Sequence, residues 1–226
     1  MEMKGDNMQN FIYNLMIVSI DITISIIKML TKTQEQVLVF LFNNQEENFT
    51  IRGIARRLNK SYTLIYNNIA DLCRKKILKK QSVPPAQIIT LSEFAPIEVL
   101  IDIEFKKKRS LLEDCPWIKV MLKDMLMAAK NYFFILLVFG SYAKGNQTQK
   151  SDIDLLVIVQ NKNDIKKIED KLYGVYSKVK KGLNFVDIKG FMDMIKNANE
   201  FNIGNEAKRN HIILHGIEEY YQIIKT

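Results

Sequence analysis

Cysteine, histidine and tryptophan are scarce in this chain of 226 residues, with two, two and one copies. Cys73 and Cys115 are far apart and make no ligand pattern with two histidines. A Cys/His zinc site and a disulfide scaffold are therefore excluded. Two lone cysteines fit a reducing, cytoplasmic setting. Glycine (9) and proline (4) are too few for a collagen-like chain. A composition of 47% hydrophobic and 26% charged residues is that of a folded soluble protein, not a disordered one. A long unbroken apolar run is also missing. Phe11 to Leu30 is rich in apolar residues, but Asn14, Asp21 and Lys28 interrupt it. Spanning a membrane would bury Asp21 near the centre, at roughly 2.5–3.5 kcal/mol or more. With no basic leader and no small-residue cleavage site, no signal peptide is expected. Residues 1–30 are expected to form an extension, a helix or strand packed on the body or on a second subunit. The alternation from Ile20 to Ile26 suits a half-buried strand as well as a helix.

What is abundant is positive charge, and it is concentrated. The formal net charge is +8. From Thr50 to Lys80 there are nine basic residues and one acid, Asp71, whereas Glu93 onward is close to neutral. Such a patch is the footprint of a polyanion partner. Its pattern is helical. Thr33 to Phe42 reads as one helix. Thr50 caps a short second, with Ile51, Ile54, Ala55 and Leu58 inward. Asn59-Lys60 is a tight turn, and Ser61 caps a third helix with Ile65, Ile69 and Leu72 on one face. Ile77–Lys80 and Gln87–Leu91 read as two strands across Pro84-Pro85. Helix, short helix, turn, helix, hairpin resembles the winged helix-turn-helix family over residues 31–92. The resemblance makes Ser61–Cys73 a DNA recognition helix. Ser61, Tyr62, Thr63, Tyr66 and Asn67 then meet bases, while Arg52, Arg56, Lys60 and the Lys79-Lys80 strand meet phosphates. One departure is Lys76, at a left-handed position where the family often has glycine. A winged helix used for protein contact or dimerisation is the alternative.

Residues 93–130 read as linking helices. Glu93–Ser110 ends in Lys106-Lys107-Lys108-Arg109, a run expected to face solvent. Cys115-Pro116 breaks the chain, and Trp117–Asn131 is a second helix, with methionines as core filler.

Tyr132–Phe139 is a continuous apolar run of strand length, expected to be buried on both faces. It ends at Gly140-Ser141. A second strand, Ile153–Val159, opens with Asp152 and Asp154. Two acids two residues apart on extended chain point the same way, with Cα atoms roughly 6.5–7 Å apart. At the mouth of an apolar strand they are expensive without a cation, so a divalent metal is expected. The whole string, Phe-Gly-Ser-Tyr-Ala-Lys-Gly through Ser-Asp-Ile-Asp-Leu-Leu-Val-Ile, resembles the DNA polymerase β-type nucleotidyltransferase superfamily, in particular its minimal members. The fold implied is α+β, a mixed sheet flanked by helices over residues 131–226. The resemblance implies that Asp152 and Asp154 hold two Mg²⁺ ions. Gly140, Ser141, Lys144 and Ser151 would serve ATP or another nucleoside triphosphate, with Lys150 nearby. A third carboxylate is usual on a later strand. Asp187, in the strand Leu183–Ile188 after a helix over 162–181, is the expected third ligand and general base; Asp193, in a helix over Gly190–Asn199, is the competitor.

His211 and His215 lie one turn apart in an expected apolar helix, His211–Ile224, that covers the sheet or makes a dimer contact. A structural role is expected for both, not a metal pair. The combined reading is an Mg²⁺-dependent nucleotidyltransferase that moves AMP from ATP onto an acceptor hydroxyl. Its minimal relatives resemble antitoxins that adenylylate a partner HEPN toxin, and the DNA-binding domain would serve regulation. Two alternatives are a nucleotide-sensing transcriptional regulator and a nucleotidyltransferase acting on nucleic acid.

Overall fold

The computed structural model describes residues 30–44 and 47–225. The extension expected at the N-terminus lies outside them, save Leu30. Among the described residues, no helix is long and apolar enough to cross a membrane. The chain divides into two compact units. Residues up to Leu38 with Phe49–Asp102 make one, and Val39–Asn48 with Ile103 onward make the other.

The first unit is a winged helix-turn-helix. It holds the start of α1 (Lys32–Asn43), then α2 (Ile51–Arg57), α3 (Tyr62–Arg74), β1 (Leu78–Val83) and β2 (Ala86–Leu91). The caps are those the residues dictate. Thr50 Oγ1 accepts the Gly53 N–H at 3.1 Å, and Ser61 Oγ accepts the Leu64 N–H at 3.3 Å. Ile54, Ile65, Ile69 and Leu72 are sealed between the helices. Gln34 and Asp71 join α1 to α3 at 2.8 Å. β1 and β2 form an antiparallel wing. Lys76 has φ +57, the left-handed backbone expected there.

The second unit is built on a four-stranded mixed sheet in the order β5-β4-β3-β6. Its strands are β3 (Phe134–Phe139), β4 (Ile153–Val159), β5 (Lys181–Asp187) and β6 (His211–His215). All six β3 residues are buried. Each such apolar side chain contributes about 1.5–3 kcal/mol on leaving water. β4 runs antiparallel to β3 and parallel to β5, so β4, α7 (Ile165–Tyr173) and β5 make a βαβ unit. The long helix expected over 162–181 is shorter: a 3₁₀ turn precedes α7, which ends at Gly174. On one face Leu136, Val138, Leu155 and Val157 pack with α5 (Pro116–Ala128) and α7. α8 (Ile188–Lys196) and α10 (Ile217–Ile224) belong to the other face, where the Phe191 and Tyr220 rings meet at 6.0 Å.

Two further expectations about these elements are corrected. The helix His211–Ile224 is in fact strand β6 and then α10, divided at Gly216, whose φ of +78 a helix interior does not accept. His211 and His215 therefore sit on a strand, not one helical turn apart. The basic run of α4 (Ile97–Asp114) does not all face solvent either. Lys107 is 5% exposed and Glu104 fully buried. Together they close the free edge of β6. Lys107 Nζ donates to His211 O at 2.6 Å and to Glu104 Oε1 at 2.9 Å, and Glu104 Oε2 accepts the Ile213 N–H at 3.4 Å. This pair occupies the place a fifth strand would take, which protects an otherwise open edge. Removing one partner would leave a buried charge alone, at about 3–5 kcal/mol.

Candidate active site

β3 ends at Phe139, and the chain turns at once into the short helix α6 (Gly140–Lys144). Gly140 makes that turn with φ +66, and Gly145 closes it with φ +68. The antiparallel register sets Phe139 opposite Asp154. The first turn residue and the second aspartate are thus in contact by construction. A Cβ on Gly140 would fall 2.6 Å from Asp154 Oδ2. On the other side, β5 sets Gly182 opposite Asp154, and a Cβ there would fall 3.1 Å from Oδ1. Asp154 therefore stands between two glycines. Burial holds its carboxyl above the usual carboxylate range, and the neighbouring Glu206 and Asp152 carboxylates add to the effect. Asp152 is more open, its side chain 44% exposed, with Lys180 Nζ at 3.1 Å.

The expected residues do not all converge. Ser151 Oγ accepts the Thr148 N–H at 2.9 Å, so it shapes the loop before Asp152. Lys144 and Lys150 are exposed. Asp187 is not brought to the pair. The parallel register puts it opposite Val159, at the far end of β4. Five residues of strand from Asp154 amount to about 17 Å. Its Oδ1 instead caps α8 by accepting the Gly190 N–H at 3.1 Å. Asp193 is paired on the surface with Lys196. The acid that does reach Asp154 electrostatically is Glu206, in the first turn of α9 (Ile203–Arg209). Asn202 caps that helix through the Asn205 N–H at 2.8 Å. α9 delivers the chain to His211, which pairs with Phe139, so it reaches the same end of the sheet as Asp154.

In the winged unit, Arg52, Arg56, Ser61, Tyr62, Thr63, Tyr66 and Asn67 are exposed, and Lys60 is half-buried. Tyr62 and Tyr66 stack with centroids 6.0 Å apart, and Lys80 Nζ lies 5.3 Å from the Tyr66 ring centre. Lys79 is committed to an ion pair with Glu93.

Residues 122–212 match the family described as polymerase beta, nucleotidyltransferase. The matched region is less than half of the chain and contains Gly140, Ser141, Asp152, Asp154 and Glu206. No curated protein matches the chain. Among solved structures it is similar to the adhesin competence repressor AdcR from Streptococcus pyogenes, at 18% identity over 48% of this chain and 76% of that one, with a TM-score of 0.32. It is also similar to MepR, a transcription regulator of the Staphylococcus aureus multidrug efflux pump MepA. There the identity is 19% over 55% of this chain and 98% of that one, with a TM-score of 0.34.

Among the described residues, no three His, Cys, Asp or Glu side chains stand close enough together to enclose a metal ion. The donor set nevertheless fits Mg²⁺, which is commonly held by one or two carboxylates, with waters and substrate phosphates completing its shell. The crowded negative charge at Asp154 is what such an ion would relieve. Nothing in local spacing along the chain ties Glu206 to Asp154, 52 residues earlier.

Proposed function

We propose that the chain transfers a nucleoside monophosphate, AMP from ATP in the simplest case, onto an acceptor hydroxyl with release of pyrophosphate. The observation that carries this reading is the Asp154 carboxylate packed directly on Gly140, with Asp152 beside it and Glu206 adding to its field. Gly140 lets backbone come close to a phosphate because it has no side chain. Ser141 offers a hydroxyl and an N–H at the same turn. Bound Mg²⁺ would neutralise the triphosphate and favour ionisation of the attacking hydroxyl. Asp152 and Asp154 would hold it, and Lys180 sets the charge on the Asp152 side. The winged unit would bind DNA, with Arg52, Arg56 and Lys60 on phosphates and Tyr62, Thr63, Tyr66 and Asn67 on bases. A protein acceptor, as in the minimal relatives that modify a HEPN toxin, is the favoured partner.

A second reading is a nucleic-acid acceptor, favoured by the exposed Tyr62–Tyr66 stack beside Lys80, a surface on which unpaired bases can stack. One experiment addresses both. The protein is incubated with Mg²⁺, a lysate of the source cells and each α-labelled nucleoside triphosphate, alongside the Asp152→Ala/Asp154→Ala double variant. Label on a macromolecule with the wild type alone supports transfer, and protease or nuclease digestion then gives the acceptor class. Nucleotide binding with no variant-sensitive label would sink the transferase reading and favour a nucleotide-sensing regulator.

A further inference from the structure

Two consecutive lysines lead into β5, and they have separate tasks. Lys181 Nζ donates to carbonyls at the end of α7 and just beyond it: Leu172 O at 3.1 Å, Tyr173 O at 3.0 Å, and Val175 O. Its ammonium is committed to satisfying backbone groups that the helix leaves open. Lys180 serves the aspartates instead. Its carbonyl accepts the Ile153 N–H at 2.9 Å, so its backbone is tied to the residue between Asp152 and Asp154. Its Nζ lies 3.1 Å from Asp152 Oδ2. Among the described residues, it is the one cation in an ion pair with either aspartate. The side chain is nevertheless 82% exposed. A fixed backbone and a solvated, flexible four-carbon stem make a tethered cation that can swing without losing packing.

A divalent ion held by Asp152 needs the carboxylate oxygens that this ammonium engages. Lys180 and the ion therefore compete. A triphosphate shifts the competition, because it offers the ammonium more negative charge than a single carboxylate does. We propose that Lys180 pairs with Asp152 before nucleotide arrives and moves to the phosphates when it binds, which frees Asp152 for the metal. The inference rests on the transferase reading. It adds a phosphate-contacting residue and a reason for metal and nucleotide to bind together. The size of the effect is set by the pair that is broken. An exposed ion pair shifts an equilibrium by at most about fivefold.

The test measures Mn²⁺ affinity of the full chain by electron paramagnetic resonance, with and without α,β-methylene-ATP, whose bridging carbon blocks transfer. Tripolyphosphate is a second probe that has no base. The quantity read is the coupling factor, the ratio of the two Mn²⁺ affinities. Lys180→Ala should tighten Mn²⁺ by about three- to fivefold without nucleotide and change it little with nucleotide, so the factor falls by the same amount. The analogue itself should bind about tenfold more weakly. Lys180→Arg keeps the charge and should retain most of the factor. Lys178→Ala makes the same charge change at an exposed residue two positions earlier and should leave the factor as it is. Equal tightening of Mn²⁺ with and without nucleotide would mean a charge that stays in place, and would overturn the proposal. An unchanged Mn²⁺ affinity in Lys180→Ala, or an equal effect of Lys178→Ala, would overturn it too. Nucleotide binding with an unaltered factor sinks this proposal alone and leaves the transferase reading standing. Failure of the wild type to bind either probe sinks both.

Discussion

Replacing Gly140 with alanine should disturb the protein in two ways that two other glycines allow to be measured apart. Gly145 has nearly the same backbone, φ +68, but a Cβ there meets nothing within 4 Å. Gly145→Ala therefore isolates the left-handed backbone term, about 1–2 kcal/mol. Gly182 has no left-handed backbone, but its Cβ would sit 3.1 Å from Asp154 Oδ1. Gly182→Ala isolates the crowding term, about 1 kcal/mol at a half-exposed site. Gly140→Ala combines both, with a closer contact of 2.6 Å. Adding about 1–2 for backbone to about 1–3 for overpacking gives about 2–5 kcal/mol. Ordinary contact begins at 3.4 Å, so the Asp154 carboxylate must retreat by about 0.8 Å. A displacement near 1 Å at reacting groups costs about 100-fold in rate. The assay is urea unfolding of the three variants, with Mg²⁺-dependent label transfer measured on each. The expected order of lost stability is Gly140 first, with label transfer falling sharply for Gly140→Ala and little for Gly145→Ala. If Gly140→Ala is no less stable than Gly145→Ala and still transfers label, the packing argument fails.

The proton affinity of Asp154 makes a pH prediction. Its folded-state pKa is raised, so the folded protein binds more protons than the unfolded chain between the ordinary carboxylate value and the raised one. Stability falls as pH rises through that window, and Asp154→Asn should remove the fall and unfold at higher urea at neutral pH, while abolishing transfer. Asp187→Ala should cost about 1 kcal/mol through loss of the α8 cap and leave transfer near wild type, which single-turnover labelling would show. Lys76→Gly should raise stability by about 0.5–1 kcal/mol by relieving φ +57 at an exposed site, read as a shift in the urea midpoint. If the winged unit holds DNA, Arg56→Ala should reduce the slope of log K against log salt by about 1, as read by fluorescence anisotropy at several salt concentrations.

What the sequence disclosed was mostly local. β3, its turn and β4 are consecutive, and their apolar runs, glycines and paired aspartates are contiguous signals. Caps such as Thr50 and Ser61 depend on the next three residues and were equally plain. Asp187 shows the limit. It does end a strand in the right βαβ unit, but whether it meets Asp154 depends on parallel register, and register puts Gly182 there. β6 was hidden because His-Ile-Ile-Leu-His, followed by more apolar residues, reads as either period until Gly216 is seen to divide it. The burial of Lys107 was hidden because a four-residue basic run looks like a solvated helix end. Only the open edge of a distant strand explains why one of its lysines turns inward.

The place of β6 has a consequence for biosynthesis. β3 lies inside the sheet only because β6 covers its second edge, and among the described residues β6 follows every other strand in the chain. Until His211–His215 docks, the edge of β3 away from β4 has no backbone partner. A nascent chain halted before that point would carry both aspartates, yet it would expose a sticky strand in place of a finished sheet. Docking of β6 is therefore also the step that removes an edge open to self-association.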